Sequence, residues 1–155
     1  MRIGIDARTL LGPRTGIGRY SYNLVLNLLA IDSHNKYVLF VDRKTNLSFP
    51  SSSYDKRIVG PLNFGRASMR KVFSPLWINF FLPQALKREG IDLLFCPNFV
   101  SPLKKACKTI IVVHDLAAIL YPGMHDKAYS FYVRNMLSAT CRKIDRIITV
   151  SEASK

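Results

Sequence analysis

The sequence has few acidic residues and few cysteines. Its 155 residues contain 10 Asp and Glu against 23 Lys and Arg, so the formal net charge is +13 at pH 7. Such an excess favours anionic partners, such as nucleotides, phospholipids or nucleic acids, without choosing among them. The three cysteines, Cys96, Cys107 and Cys141, are an odd number without C-x-x-C spacing. Neither a disulfide framework nor a zinc site is therefore indicated, and a reducing cytosol fits best.

The sequence also lacks an apolar run long enough to cross a membrane. The longest candidate stretch, 72–82, contains Ser74, Pro75 and Asn79, and it is shorter than the ~20 residues that a spanning helix needs. Arg2 and Asp6 interrupt the amino-terminal apolar segment, so no signal peptide is predicted. No G-x-S-x-G elbow, P-loop or metal-spaced histidine pair occurs. We expect a cytoplasmic protein that binds no metal.

Apolar runs alternate with segments of helical spacing along the chain. The runs predict strands at 2–6, 36–42, near 57–59, and at 91–97, 108–113 and 146–150. Helical spacing follows Tyr20, where Leu24, Val25, Leu28 and Leu29 form one stripe, and recurs between Tyr129 and Thr140. Strands interleaved with helices predict one α/β domain over 1–155, with a Rossmann-like, mostly parallel sheet flanked by helices.

Turn and breaker residues predict the connections. The segment 46–53 contains a proline and three consecutive serines, and we expect an exposed loop there. Ser74-Pro75 predicts the start of a helix, which Pro83 should break or restart to give two short pieces. The last residues, Ser151-Glu152-Ala153-Ser154-Lys155, are typical of a helix cap and first turn. They predict a chain cut from a longer protein.

Two motifs follow predicted strands and point to one shared cleft. Gly16-Ile17-Gly18-Arg19 comes soon after the first strand, and His114-Asp115 directly follows the strand at 108–113. The carboxyl ends of strands are where α/β sheets bind ligands. The glycines let backbone amides approach a ligand, and the following helix offers its positive end to an anion or a sugar hydroxyl. Because Ser21 replaces the third glycine of G-x-G-x-x-G, a structural tight turn remains an alternative to a dinucleotide site.

Polar residues near these motifs have two interpretations each. The imidazole of His114 could donate to a sugar hydroxyl or carbonyl, or it could be a satisfied structural histidine. Asp115 could orient that imidazole or cap the following turn. Asn98 could line the same cleft or bond its own backbone in a turn. Asp42 follows the second strand, where it could mimic a ribose-binding acid.

The stretch from Lys56 to Arg88 carries no acidic residue and seven basic ones, which are Lys56, Arg57, Arg66, Arg70, Lys71, Lys87 and Arg88. It also carries the aromatic residues Phe64, Phe73, Trp77, Phe80 and Phe81. Basic side chains beside exposed aromatics can hold a protein on an anionic membrane surface. In the alternative interpretation the aromatics face the core and the cations form a solvated surface.

An ordered set of segments resembles the amino-terminal half of a glycosyltransferase family 4 enzyme. The segments are Gly4-Ile5-Asp6-Ala7-Arg8, Gly16-Ile17-Gly18-Arg19-Tyr20, Cys96-Pro97-Asn98-Phe99, Val113-His114-Asp115-Leu116 and the run from Ile147 to Lys155. The resemblance implies a GT-B fold of two Rossmann-like domains and retaining, metal-independent transfer. The sugar, mannose or a similar hexose, would pass from a nucleotide-sugar donor to a glycan or lipid-linked acceptor, as in cell-surface polysaccharide or lipopolysaccharide synthesis.

The same resemblance assigns roles to residues of this chain. His114 would contact the transferred sugar as the catalytic residue, and Gly16 to Arg19 would lie near the donor phosphates or sugar. Ser151 would begin a helix near the cleft. A lipid-linked acceptor implies a peripheral position at the inner membrane face.

The family's E-x7-E motif does not occur in this sequence, so the chain is expected to be inactive alone. A non-catalytic nucleotide- or phosphate-binding Rossmann-like module is the alternative. No nucleic-acid partner is expected, because no recognition-helix or RNP-type motif is present.

Overall fold

A computed structural model describes residues 1–12, 16–51, 53–60 and 73–155. Several predicted features of the Lys56 to Arg88 stretch lie outside the described residues, namely Phe64, Arg66, Arg70 and Lys71. Among the described residues, no helix combines the length and the apolarity that crossing a bilayer requires.

Six parallel strands form one sheet in the order β3-β2-β1-β4-β5-β6. The strands are β1 Arg2–Asp6, β2 Lys36–Val41, β3 Tyr54–Ile58, β4 Leu93–Cys96, β5 Lys108–Val113 and β6 Arg146–Thr149. The order reverses between β1 and β4, the arrangement of doubly wound nucleotide-binding folds. The predicted α/β, Rossmann-like fold is confirmed.

Helices cover both faces of the sheet. They are α1 Ile17–Ile31, α2 Leu82–Arg88, α3 Ala117–Leu120 and α4 Lys127–Cys141, with 3-10 turns at Ala7–Leu11, Pro122–Met124 and Glu152–Ser154. The helix α1 buries Val25 and Leu29 against one face, where Ile5, Leu39 and Val112 of the sheet meet them. The helices α2 and α4 pack on the other face. Two cores therefore fix the sheet from both sides, which suits a parallel sheet.

The described residues of 46–53 form a loop, as the proline and serines predict, but the loop is not exposed along its whole length. Leu47 and Phe49 are 9% and 7% exposed and belong to the core under α1. The ring of Phe49 stacks on Tyr22, with ring centroids 5.1 Å apart, and its backbone N–H donates to the hydroxyl of Tyr54 at 2.9 Å. The exposure of this loop was predicted wrongly, because an irregular backbone can be buried where its polar groups have hydrogen-bond partners.

The sequence predicted that Pro83 would break or restart the helix, but the helix continues through Pro83. Residues 73–88 are continuously helical, with a π turn at Trp77–Phe81 directly before α2. The N–H of Leu82 bonds to the carbonyl of Trp77, five residues back. This wider turn lets the helix continue past a proline, which has no N–H to donate. Ser74 lies inside this helix and is not its cap, because residue 73 is already helical.

Candidate functional site

The imidazole of His114 is held between two elements at the carboxyl edge of the sheet. Its Nε2 lies 2.8 Å from the carbonyl oxygen of Pro97, which directly follows β4. A carbonyl oxygen only accepts, so Nε2 donates in this contact, and an uncharged imidazole of this tautomer has its lone pair on Nδ1. Among the described residues, Nδ1 has no hydrogen-bond partner. The ring also meets that of Tyr20 edge to face, with centroids 4.9 Å apart at 88°.

The contact with Tyr20 brings the first turn of α1 against His114. Gly16 precedes this helix with φ 48° and ψ −120°, a backbone conformation that favours glycine. Its carbonyl accepts the first helical bond, from the N–H of Tyr20 at 3.0 Å. Gly16 has no side chain with which to cap α1, and no side-chain cap is present among the described residues. The amides of the first turn, including those of Ile17 and Gly18, therefore have no acceptor within the helix, at its positive end.

The turn after β6 is hydrogen-bonded to the same histidine. The Ser154 hydroxyl donates to the carbonyl of His114 at 3.4 Å, and the Oγ of Ser151 lies 3.1 Å from the Oγ of Ser154. The structure thus places Ser151 beside the backbone that carries the imidazole. The predicted helix start at this point is a 3-10 turn, Glu152–Ser154.

Asn98 and Asp115 make local hydrogen bonds. The Oδ1 of Asn98 accepts from the N–H of Val100 at 2.9 Å, and the Oδ1 of Asp115 accepts from the N–H of Ala117 at 3.0 Å. Both are the turn-forming alternatives that the sequence left open. Their side chains shape the loops beside Pro97 and His114.

The acid at the end of the second strand has an intramolecular partner. The Oδ1 of Asp42 lies 2.9 Å from the guanidinium of Arg43. The Asp42 carboxylate, which would have to bind the ribose hydroxyls, is therefore already paired with Arg43.

A buried ion pair at the end of β1 is the feature that sequence reasoning missed. The Arg8 guanidinium donates two hydrogen bonds to the Asp6 carboxylate, from Nε to Oδ1 at 2.9 Å and from Nη2 to Oδ2 at 2.7 Å. Its Nη1 donates to the Oγ of Ser74 at 2.9 Å. Its carbon Cζ lies 4.1 Å from the ring centre of Trp77, whose indole N–H donates to the carbonyl of Val59 at 2.8 Å. The pair connects β1, the helix at 73–88 and the end of β3.

The electrostatics of this pair follow from its burial. Burial acts to lower the pKa of Arg8, but the charge and hydrogen bonds of Asp6 raise it, and the net pKa is above its usual value. The only sequence signal was an Asp and an Arg two residues apart after a buried strand. That spacing does not reveal the third and fourth partners, which are distant in sequence.

The helix α4 reaches the same edge. Burial raises the pKa of Tyr132, while the charge of Arg8 acts to lower it. The first half of α4 therefore lies within electrostatic range of the ion pair.

The described part of the Lys56 to Arg88 stretch is divided between core and surface. Trp77 is 2% exposed, whereas Phe80 is 60% exposed. The Lys56 ammonium donates to two backbone carbonyls, and Arg57 pairs with Glu89 and Asp55. Of the described aromatic residues between Lys56 and Arg88, only Phe80 is largely exposed to solvent.

Metal-ligating side chains do not gather within the described ranges. No group of three or more His, Cys, Asp or Glu side chains there could hold a metal ion.

Comparison with known protein families gives a match that covers most of the chain. The family model described as Glycosyltransferase Family 4 matches residues 14–155, which include His114 and the start of α1. No curated protein matches the chain significantly.

Proposed function

The chain belongs to glycosyltransferase family 4, and from that membership we propose that it is the acceptor-side domain of a retaining sugar transferase. The proposed reaction moves mannose or a similar hexose from a nucleotide sugar to a glycan or lipid-linked acceptor. Cell-surface polysaccharide or lipopolysaccharide synthesis is the corresponding context.

One observation carries the proposal, the contact of His114 with Tyr20 in the uncapped first turn of α1. In the reaction, the bond between the anomeric carbon and the diphosphate breaks, and the acceptor oxygen bonds to that carbon. The acceptor proton leaves with the departing phosphate. Backbone amides at a helix start can stabilise the charge that develops on the phosphate oxygens. We assign this role to the turn from Gly16 to Arg19.

His114 orients the transferred sugar in this proposal. Nε2–H is hydrogen-bonded to the Pro97 carbonyl, and a ring of that tautomer can accept a hydrogen bond at Nδ1. A hydroxyl of the sugar is the donor that such a nitrogen would take. The sequence suggested that His114 donates a hydrogen bond to the sugar, whereas in this proposal Nδ1 accepts a hydrogen bond from a sugar hydroxyl. Two restraints, Pro97 and Tyr20, reduce the cost of ordering the ring at the moment of reaction.

The chain does not transfer sugar alone in this proposal. Its glutamates are Glu89 and Glu152, which lack the E-x7-E spacing associated with the donor site of the family. A further domain would therefore hold the donor, and no metal is required.

The acceptor side fits a protein that works at the inner membrane face. The net charge of +13 favours an anionic surface. Within the Lys56 to Arg88 stretch, the exposed Phe80, Lys87 and Arg88 would face it. Liposome flotation with and without anionic lipid tests this placement.

The transfer assay tests the catalytic proposal. In the protein that joins this chain to a donor-binding domain, we expect His114→Ala to reduce turnover by more than about tenfold, since a contact to the reacting sugar is typically worth ~2 kcal/mol or more. His34→Ala is the matched control, because His34 is exposed at the opposite, amino-terminal edge of the sheet. Near-wild-type turnover of His114→Ala would show that the assignment is wrong.

A non-catalytic phosphate-binding module is the second candidate, favoured by the uncapped start of α1. Titration of this chain with nucleotide sugars separates the two. Tight binding by the chain alone supports the module, because the transferase proposal assigns most donor contacts to a further domain.

A further inference from the structure

A cavity of about 250 Å³ lies between α3, the turn at Pro122–Met124 and the first half of α4. Its walls are Ala118, Pro122, Lys127, Ser130, Phe131 and Arg134. The cavity lies beside the loop that follows His114 but contains none of the residues assigned above. It is smaller than the ~300–1,000 Å³ of pockets that enclose drug-sized ligands. It therefore suits one chemical group of a ligand better than a whole nucleotide sugar.

Two cations line this cavity without an ionic partner among the described residues. Lys127 and Arg134 are two helical turns apart, so they project from one face of α4. The helix carries no acidic side chain. The nearest acid in sequence, Asp126, caps the helix by accepting from the N–H of Tyr129 at 3.1 Å, and it does not line the cavity. The cavity is thus electropositive.

Between the two cations lies a buried hydroxyl that has no acceptor or donor among the described residues. Ser130 is 7% exposed, and its Oγ is unpartnered. Buried polar groups are nearly always hydrogen-bonded, so an unpartnered one in a cavity wall indicates a place for a ligand oxygen. Because Ser130 is four residues before Arg134 and three after Lys127, all three share one helix face.

Phe131 is the exposed apolar side chain of the cavity wall, and three further exposed apolar residues lie within two residues of the wall residues Ala118 and Pro122 in sequence. Leu120 is 60% exposed, Tyr121 61%, Met124 83% and Phe131 72%. Large exposed apolar side chains in a cavity wall and next to it in sequence favour an interaction site. An electropositive cavity with an exposed apolar residue in its wall suits an anionic head group that is followed by an alkyl chain.

We propose that this cavity binds the phosphate group of a lipid, with the alkyl chain lying along Leu120, Met124 and Phe131. Lys127 and Arg134 would donate to the phosphate oxygens, and the Ser130 hydroxyl would donate a third bond. That this lipid is the sugar acceptor rests on the proposed function. The proposal then names a phosphate-bearing lipid as the class of acceptor. Binding itself does not depend on that role.

Isothermal titration of the chain with decyl phosphate, below its micelle concentration, tests the site. Inorganic phosphate and the neutral decyl maltoside are the comparison ligands. We expect decyl phosphate to bind at least about tenfold more tightly than either, because it alone supplies both the charge and the chain. Equal binding of the neutral amphiphile, or no binding of decyl phosphate, would overturn the proposal.

Variants locate the binding. Lys127→Gln combined with Arg134→Gln should weaken decyl phosphate by about tenfold or more, since charge-assisted bonds are lost. Phe131→Ser should weaken decyl phosphate and leave inorganic phosphate unchanged. Ser130→Ala should weaken both phosphates severalfold, and unchanged affinity would contradict the role of its hydroxyl. Thermal unfolding of each variant shows that it is folded.

A second cavity supplies the matched control. It is lined by Asn79, Phe80, Pro83, Gln84, Lys87, Lys104, Lys105 and Ala106, so it also pairs lysines with an exposed aromatic ring. Lys104→Gln combined with Lys105→Gln, which also removes two cations, should change the affinity by less than about twofold. An equal loss in this control would show that net charge, and not the cavity, binds the ligand.

The two proposals can fail separately. Decyl phosphate binding with no sugar transfer in the joined protein would overturn the transferase proposal and support the site. Sugar transfer without decyl phosphate binding would overturn the site alone.

Discussion

Replacing Arg8 by methionine tests whether the buried pair with Asp6 holds the carboxyl edge of the sheet. The Asp6 carboxylate is 1% exposed and accepts from the backbone N–H, the Nε and the Nη2 of Arg8. Arg8→Met keeps the backbone bond and removes both charge-assisted ones. Methionine retains a contact with the ring of Trp77, so little packing is lost. What remains is a buried carboxylate without its countercharge, which costs about 3–5 kcal/mol.

Urea unfolding followed by circular dichroism at neutral pH measures this cost. Arg43→Met is the matched control, because its pair with Asp42 is more open to solvent, with side-chain exposures of 33% and 19%. That control should lose no more than about 1 kcal/mol. The double variant Asp6→Asn with Arg8→Met should be more stable than Arg8→Met alone, since no unpaired charge is buried. A loss below about 1 kcal/mol for Arg8→Met, or a double variant less stable than the single one, would refute the reasoning.

Two further outcomes follow from the backbone and from acidic side chains. Gly16→Ala should destabilise the chain by about 1–3 kcal/mol, because φ is 48° at this position. The cost is conformational, since a Cβ there would meet nothing within 4 Å. Gly12→Ala is the control, because Gly12 is equally open but has φ −92°, and it should change stability by less than about 0.5 kcal/mol in the same urea assay. Stability should also fall as pH is lowered from about 5 to 3: hydrogen bonds from Tyr37 lower the pKa of Asp32, and those from Lys105 lower that of Asp145. A depressed folded-state pKa gives stability that is present above the unfolded value of ~4 and is lost as pH falls towards the folded value. Asp32→Asn should flatten this dependence, and an unchanged slope would contradict it.

Most of the fold could be predicted from local patterns. The run at 108–113 is β5 residue for residue, and the run at 2–6 is β1. Such strands are apolar because a parallel sheet covered on both faces has no polar side. The errors lie at 46–53 and at Pro83, where turn residues were correctly identified but their consequence was not. Burial of Phe49 and the π turn at Trp77–Phe81 depend on neighbours elsewhere in the chain.

The candidate site was predictable in its members but not in its contacts. A glycine motif and a histidine that each follow a strand meet at one edge, because parallel strands share their carboxyl ends. The hydrogen bond from His114 to Pro97 joins β4 to β5 and cannot be read from either segment. It determines which ring nitrogen is free for a ligand.

The sequence by itself determined the class of the fold and the family, and it predicted the edge of the sheet at which the candidate site lies. These depend on periodicity and on local motifs, which each segment carries alone. Only the tertiary structure decided that Arg8 is paired with Asp6, that Nδ1 of His114 is the available nitrogen, and that Lys127, Ser130 and Arg134 line a cavity. These properties depend on partners from other segments, namely Ser74 and Trp77 beside Arg8, Pro97 beside His114, and Ala118 and Pro122 in the cavity wall. Such contacts exist only after the chain has packed its helices on the sheet.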